Sequence, residues 1–254
     1  MSADLTFALS LADAADAITM ARFRALDLQV ETKPDLTPVT ESDRATEEML
    51  RALVEGSGRG EGVLGEEFGD DGGDAKWVVD PIDGTRNYVR GVPIWATLLA
   101  LVREGTTEVA VVSAPALGRR WWAVRGEGAF VDGAACRVSS IGRIEDGLVS
   151  TTSAHEMPAG WATVEQRAWS ARAFGDFWQH CLVAEGAVDV ACDPVLSVWD
   201  YVAVQLLVEE AGGRATTFAG DVPEGVASFV TTNGLFHSEV VSLLGPAPPG
   251  RTQV

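Results

Sequence analysis

The chain of 254 residues is 46% hydrophobic and 22% charged, enough to bury one large α/β core, or two halves packed together, without disulfides or structural metal. Its formal charge of −18, from 37 acids against 19 bases, excludes the basic stripe that a nucleic-acid backbone requires. Cys136, Cys181 and Cys192 form no CxxC pair and read as reduced thiols packed as small apolar groups.

Residues 4–26 read as an amphipathic helix with Phe7, Leu11, Ala14 and Ile18 on one stripe. Asp4, Asp13 and Asp16 stand where a secretory leader would be basic. The longest apolar run, Val92 to Val102, is too short for a membrane span. A cytoplasmic protein with no nucleic-acid or membrane partner is expected.

Lys33 to Pro38 is a proline-interrupted loop, and Thr40 opens a second helix to about Val54 with Asp43 as its capping-box partner. Glycines between 56 and 62 break the chain before Val63-Leu64, an apolar pair leading into GEEFG. Glu66 at that strand end is a metal-ligand candidate, although such acids are often plain surface groups, and Glu67 stands behind it. Asp70, Asp71 and Asp74 lack the spacing of an EF-hand and read as a solvated loop.

Trp77 to Tyr88 reads WVVDPIDGTRNY: a buried strand delivers Asp80 to its end, Pro81 stops the ladder and the chain turns. Asp83-Gly84 alone would be a turn dipeptide. With Asp80 just before it, one turn offers a hard cation such as Mg²⁺ three oxygens, from Asp80, the Ile82 carbonyl and Asp83. A helix starting at Gly84 would aim free N–H groups at the same spot and hold a phosphate. Strands at Ile94–Val102, Glu108–Ser113, Trp121–Val124 and Ala129–Val131 follow.

In the second half, Asp176–Glu185 reads as helix, Ala187–Cys192 as strand and Val198–Ala211 as a helix ended by Gly212-Gly213. A late strand at Phe229–Thr231 and a tail at Pro246–Val254 complete the chain. Asp200 lies in the first turn of a nearly all-apolar helix, where an acid favourably meets the helix dipole. Such a helix starts inside the protein, so Asp200 needs a partner, and the scarcity of bases makes a cation that partner. Asp43 either serves its cap alone or also accepts through Thr85, whose hydroxyl is placed to orient a water. His155, His180 and His237 form no ligand set and read as structural or exposed, and neither a GxSxG elbow nor a phosphate loop is present. The expected fold is layered α/β, antiparallel in the first half and mixed in the second. Its halves, 1–140 and 141–254, are expected to act as one catalytic unit.

Taken together, GEEFG, WVVDPIDGTRNY and SVWDYVAV…EEAGG resemble the inositol monophosphatase superfamily of magnesium-dependent, lithium-sensitive phosphatases, over about residues 5–245. The resemblance implies an αβαβα sandwich, a homodimer, a small phosphate monoester as substrate and about two or three Mg²⁺ per site, replaceable by Mn²⁺. Glu66, Asp80, the Ile82 carbonyl, Asp83 and Asp200 match its metal ligands. Gly84 and Thr85 match its phosphate-binding amides, with Glu66 beside the substrate, and Thr85 and Asp43 match the pair that positions the attacking water. TKPDLTPVTESDR, RGVPIWATLLAL, SAPALGRRWWA and RAFGDFWQHCLVAEGAVDVA are most similar to the bacterial branch acting on histidinol phosphate. Asp176 stands where inositol phosphatases place a small or hydroxyl residue, and a carboxylate there suits an ammonium or imidazolium; otherwise it is a helix N-cap. Asp193 sits where these enzymes often carry a longer glutamate that contacts the alcohol. The implied reaction is in-line attack by a metal-activated water without a phosphoenzyme. The alternatives are an inositol-1-phosphatase or a broader small-molecule phosphatase and, more remotely, a binding protein that keeps the fold.

Overall fold

Period-two patterning along the strands sorts their side chains onto two faces, and that sorting builds the layers of the computed structural model, which describes residues 2–34 and 36–246. The expected tail beyond Pro246 lies outside the described residues. In chain order the first half carries helix α1 (Ala3–Arg22), strands β1 (Val30–Thr32) and β2 (Pro38–Thr40), and helix α2 (Glu41–Gly56). Strands β3 (Gly62–Gly65), β4 (Gly69–Asp70) and β5 (Ala75–Asp83) and the short helix α3 (Thr85–Val89) follow. Then come β6 (Ala96–Arg103), β7 (Thr106–Ala114), β8 (Arg119–Val124), β9 (Gly128–Val131) and β10 (Ala134–Cys136). The second half runs β11 (Leu148–Thr151), α4 (Trp161–Arg167), β12 (Ser170–Arg172), α5 (Asp176–Ala184), β13 (Val190–Leu196) and α6 (Val198–Glu210). It closes with β14 (Arg214–Thr216), β15 (Ala227–Thr232) and α7 (His237–Leu244).

The first sheet has the order β10-β9-β8-β7-β6-β5-β3-β4 and is antiparallel except where β3 runs parallel to β5. The second, β12-β11-β13-β15-β14, is mixed, with β11 parallel to both neighbours and β15 antiparallel to both of its own. Trp77, Val79, Leu99, Leu101, Val109 and Val111 point from the first sheet toward α1 and α2. Their alternates Val78, Leu98, Ala100, Ala110 and Val112 face α5 and α6, which pack in turn on Ala191 and Phe229 of the second sheet. Val190, Cys192 and Val230 look outward beneath α4 and α7. The αβαβα order follows directly. Leu99 and Leu101 have no exposure, so truncating either to alanine should cost about 2–5 kcal/mol. Among the described residues no helix is long and apolar enough to cross a membrane.

Two local expectations are corrected. Helix α1 stops at Arg22 rather than at residue 26, and Phe23 turns to extended backbone. Its buried stripe is Leu5, Ala8, Leu11, Ala12, Ala15 and Thr19, because alanines let the helix lie close to the sheet while Phe7 meets Trp77 edge-on from the flank. Nor does Pro81 end its strand. Pairing of β5 with β6 slips between Asp80 and Asp83 and resumes at Asp83↔Ala96, so the corner is a bulge within the ladder.

Candidate active site

That bulge positions the first acids. Asp80 is 2% exposed and its Oδ1 accepts the Ile82 N–H at 2.9 Å, which folds the corner onto itself. Asp83 Oδ2 accepts the Phe177 N–H of α5 at 2.6 Å, and Asp200 Oδ2 accepts the Ser197 N–H at 2.7 Å, closing a capping box on α6. Carboxylate oxygens of Asp80, Asp83 and Asp200 lie within 4.8 Å of one another, brought together from both halves of the chain. Burial, reinforced by Glu66, Asp83 and Asp200, pushes the Asp80 carboxyl well above its ordinary range. Burial and then the charges of Asp176 and Asp200 do the same to Asp83. The Asp200 carboxyl is pushed up to about 7, first by burial, against the Ser197 amide that favours its anion. Among the described residues no lysine or arginine pairs with Asp80, Asp83 or Asp200. The donors are all oxygens, a set that fits a hard divalent cation.

Glu66 leaves the end of β3 beside this group, its N–H donating to the Val79 carbonyl at 3.3 Å across the parallel pair. Its carboxylate accepts from Lys33 Nζ at 2.7 Å, and the same ammonium donates to Glu67 at 2.6 Å. Burial pulls the Lys33 ammonium down, but these two bonds outweigh it and raise its pKa. The structure thus brings Glu66 toward the cluster while placing it on a lysine, which a loop read only for its prolines did not reveal. Asp70 and Asp71, expected to be merely solvated, pair with Lys76 and Arg51.

Asp43 closes its capping box and also faces Thr85. Oδ2 accepts from the Thr40 N–H at 2.8 Å and from the Thr40 hydroxyl, while Oδ1 lies 3.4 Å from Thr85 Oγ1. The single Thr85 hydroxyl proton has a nearer acceptor in the Ile82 carbonyl, at 2.9 Å, and can turn from it to Asp43. Burial pushes the Asp43 carboxyl up to about 7. Gly84 caps α3 with φ +81°, and a Cβ there would lie 3.0 Å from the Ile94 carbonyl, so glycine is required.

Asp176 is not a cap. Gly175 occupies that position, and Asp176 itself adopts φ +49°, a left-handed conformation uncommon outside glycine. Its Oδ2 accepts from Asn87 Nδ2 at 2.9 Å, bolting it to the turn of Gly84 and Thr85. Burial raises this carboxyl to about 6, with Asp193 adding to it and Arg86 opposing. Asp193 is buried, its Oδ2 accepting from Gln179 and lying 3.0 Å from His180 Nε2. His180 and His237 are buried and hydrogen-bonded, and His155 is exposed. Asn87, Lys33 and Glu47 escaped sequence reasoning, and only Glu47 carried a signal, its four-residue spacing from Asp43 on a predicted helix, although its partners did not.

A family model described as the inositol monophosphatase family matches residues 1–244. A histidinol-phosphatase of Mycobacterium tuberculosis is 51% identical, with 95% of this chain and 97% of the relative covered. One of Streptomyces coelicolor is 47% identical, with 95% and 96% covered. Among solved structures, an IMPase of Thermotoga maritima superposes with TM-score 0.89 at 32% identity, covering 96% of this chain and 97% of the other.

Proposed function

The chain belongs to the inositol monophosphatase family, and from that premise we propose that it hydrolyses L-histidinol phosphate to L-histidinol and inorganic phosphate. It is a phosphomonoesterase, akin over nearly its whole length to relatives named for that activity, and its family is metal-dependent. Asp176 carries the substrate assignment, as an acid fastened by Asn87 beside the Gly84 turn. Histidinol phosphate offers an ammonium and an imidazole to such a group, whereas inositol phosphate offers neutral hydroxyls.

Glu66, Asp80, the Ile82 carbonyl, Asp83 and Asp200 would hold Mg²⁺, or Mn²⁺ in its place, which when bound supplies charge for the phosphate and the leaving oxygen and acidity for a water. Amides of Gly84 and Thr85 take phosphate oxygens, with Glu66 beside them. The Thr85 hydroxyl turns to Asp43 Oδ1, 3.4 Å away, and its oxygen then accepts from the attacking water. Asp43 keeps its other oxygen on Thr40, which fixes the direction from which it accepts. Water attacks phosphorus in line with the ester oxygen, and no phosphoenzyme forms. Asp176, with Asp193 behind it, holds the alcohol. Residues 1–140 supply most ligands and residues 141–254 supply Asp200 and the alcohol pocket, so the halves form one catalytic unit. We take the protein to be a cytoplasmic homodimer, and its charge of −18 supports a partner list without nucleic acid or membrane.

Phosphate release from L-histidinol phosphate, inositol 1-phosphate, fructose 1,6-bisphosphate and an aryl phosphate, each with Mg²⁺, tests this. A charge-assisted hydrogen bond contributes about 1.5–3 kcal/mol. Histidinol phosphate should therefore lead inositol phosphate by about 10- to 100-fold in kcat/KM. Asp176→Ser should abolish that lead and keep the aryl phosphate rate. Equal kcat/KM on the first two substrates would replace the assignment with a broader small-molecule phosphatase.

A further inference from the structure

We infer that Glu47, outside the acid cluster, is a positioning residue that fixes the backbone after Glu66 and so aims that side chain at the Asp80 group. Glu47 has no exposure, and both of its oxygens are committed. Oε2 accepts the Glu67 N–H at 2.8 Å and Oε1 accepts the Phe68 N–H at 3.1 Å, the two amides that directly follow Glu66. Arg51, one helical turn on, donates to Oε1 through Nε at 2.9 Å and Nη2 at 2.8 Å. The same guanidinium reaches the Gly69 carbonyl at 2.5 Å and Asp71 Oδ1 at 2.6 Å, so it grips the far end of the turn.

Gly65 makes the fit visible from the other side. A Cβ on Gly65 would lie 2.0 Å from Glu47 Oε1, so the carboxylate fills the space that a side chain would take. Helical geometry explains why one element does all this. Asp43, Glu47 and Arg51 are spaced by four residues and share a face of α2. Along that face Asp43 meets Thr85, Glu47 meets the start of the GEEFG turn and Arg51 meets its end. A buried glutamate–arginine pair is a poor device for stability, because desolvation offsets most of the attraction. Two N–H bonds aimed at the residues after Glu66 are a good device for geometry, and groups that orient metal ligands in this way typically change affinity by about 10- to 100-fold when lost.

The test rests on Glu66 as a ligand and is built to separate the two claims. Mn²⁺ binding to the metal-stripped full-length protein is measured by calorimetry, without substrate, beside the melting temperature. Glu47→Gln puts an amide group against N–H donors and should weaken the Glu66-dependent part of the isotherm about tenfold or more. Gly65→Ala should act in the same direction, and Arg51→Ala, which removes only the brace, should do so more mildly and guards against a failure of the others to fold. A Glu47→Gln protein that melts lower yet binds Mn²⁺ normally, while Glu66→Gln binds it weakly, would make Glu47 structural and overturn the proposal. An unchanged isotherm in Glu66→Gln would instead remove Glu66 from the ligand set, and the role of Glu47 with it.

Discussion

Two acid-rich regions of this molecule treat their carboxylates in opposite ways. Near the start of α1, Asp4 and Glu61 share Arg59 and Arg103, with Glu61 accepting also from Trp77 Nε1 at 2.8 Å. The Asp4 carboxyl is lowered, chiefly by its bond from Arg103. Burial alone would raise Glu61, whose side chain is 4% exposed, but Arg59, Trp77 and Arg103 outweigh it and lower the pKa. Asp80 is buried, Asp83 and Asp200 are half-buried, and with only backbone amides and one another as partners all three are raised. Each region withdraws at least one acid from water, Glu61 in the first and Asp80 in the second; the partner differs. A protein that supplies arginines to one acid group and withholds them from another leaves the second able to take a cation from outside.

Substitution should break the comparison most sharply. Asp80→Asn should lower kcat by about a thousandfold or more, because charge stabilisation at the reacting phosphate goes with the ligand. Glu61→Gln should leave kcat unchanged and cost about 1–3 kcal/mol of stability, since two guanidiniums lose an anion. Steady-state kinetics beside thermal melts distinguish the two, and equal kinetic damage from both would dissolve the distinction. Thr85→Ala comes next, with kcat down about a hundredfold and Mn²⁺ binding retained; loss of metal equal to that in Asp80→Asn would contradict the division of roles.

Protonation gives the smallest effect and the finest test. Asp43 and Asp200 are each pushed up to about 7 from an ordinary value of 3.8, first by burial. Between those values the folded protein binds more protons than the unfolded chain, so stability present at low pH is lost as pH rises toward 7. The melting temperature of metal-stripped protein should therefore fall from pH 5 to pH 8. Added Mg²⁺ should raise it more at pH 8 than at pH 5, and a metal-induced rise independent of pH would contradict the assignment.

Contiguity decided what was legible in the sequence. WVVDPIDGT carries strand, corner and candidate ligands in nine consecutive residues, so its acids could be read in place although the bulge at Pro81 could not. Asp200 was legible for another reason, an acid opening a helix too apolar for the surface. Glu47 and Lys33 were not, because their meaning depends on approaches of 20 and 33 residues along the chain. Short strands such as β10, β12 and β14 were missed for the same cause, since three residues take their conformation from a neighbour rather than from their own pattern. In α1 the error was one of size: large residues were counted toward the stripe, and the sheet selected alanines.

Phosphate release from L-histidinol phosphate by EDTA-stripped protein, before and after Mg²⁺ is restored, bears most directly on the buried acids as a cation site. Activity should be absent from the stripped protein and return in full with Mg²⁺, whereas a full rate in stripped protein would show that Asp80, Asp83 and Asp200 do their work without a cation.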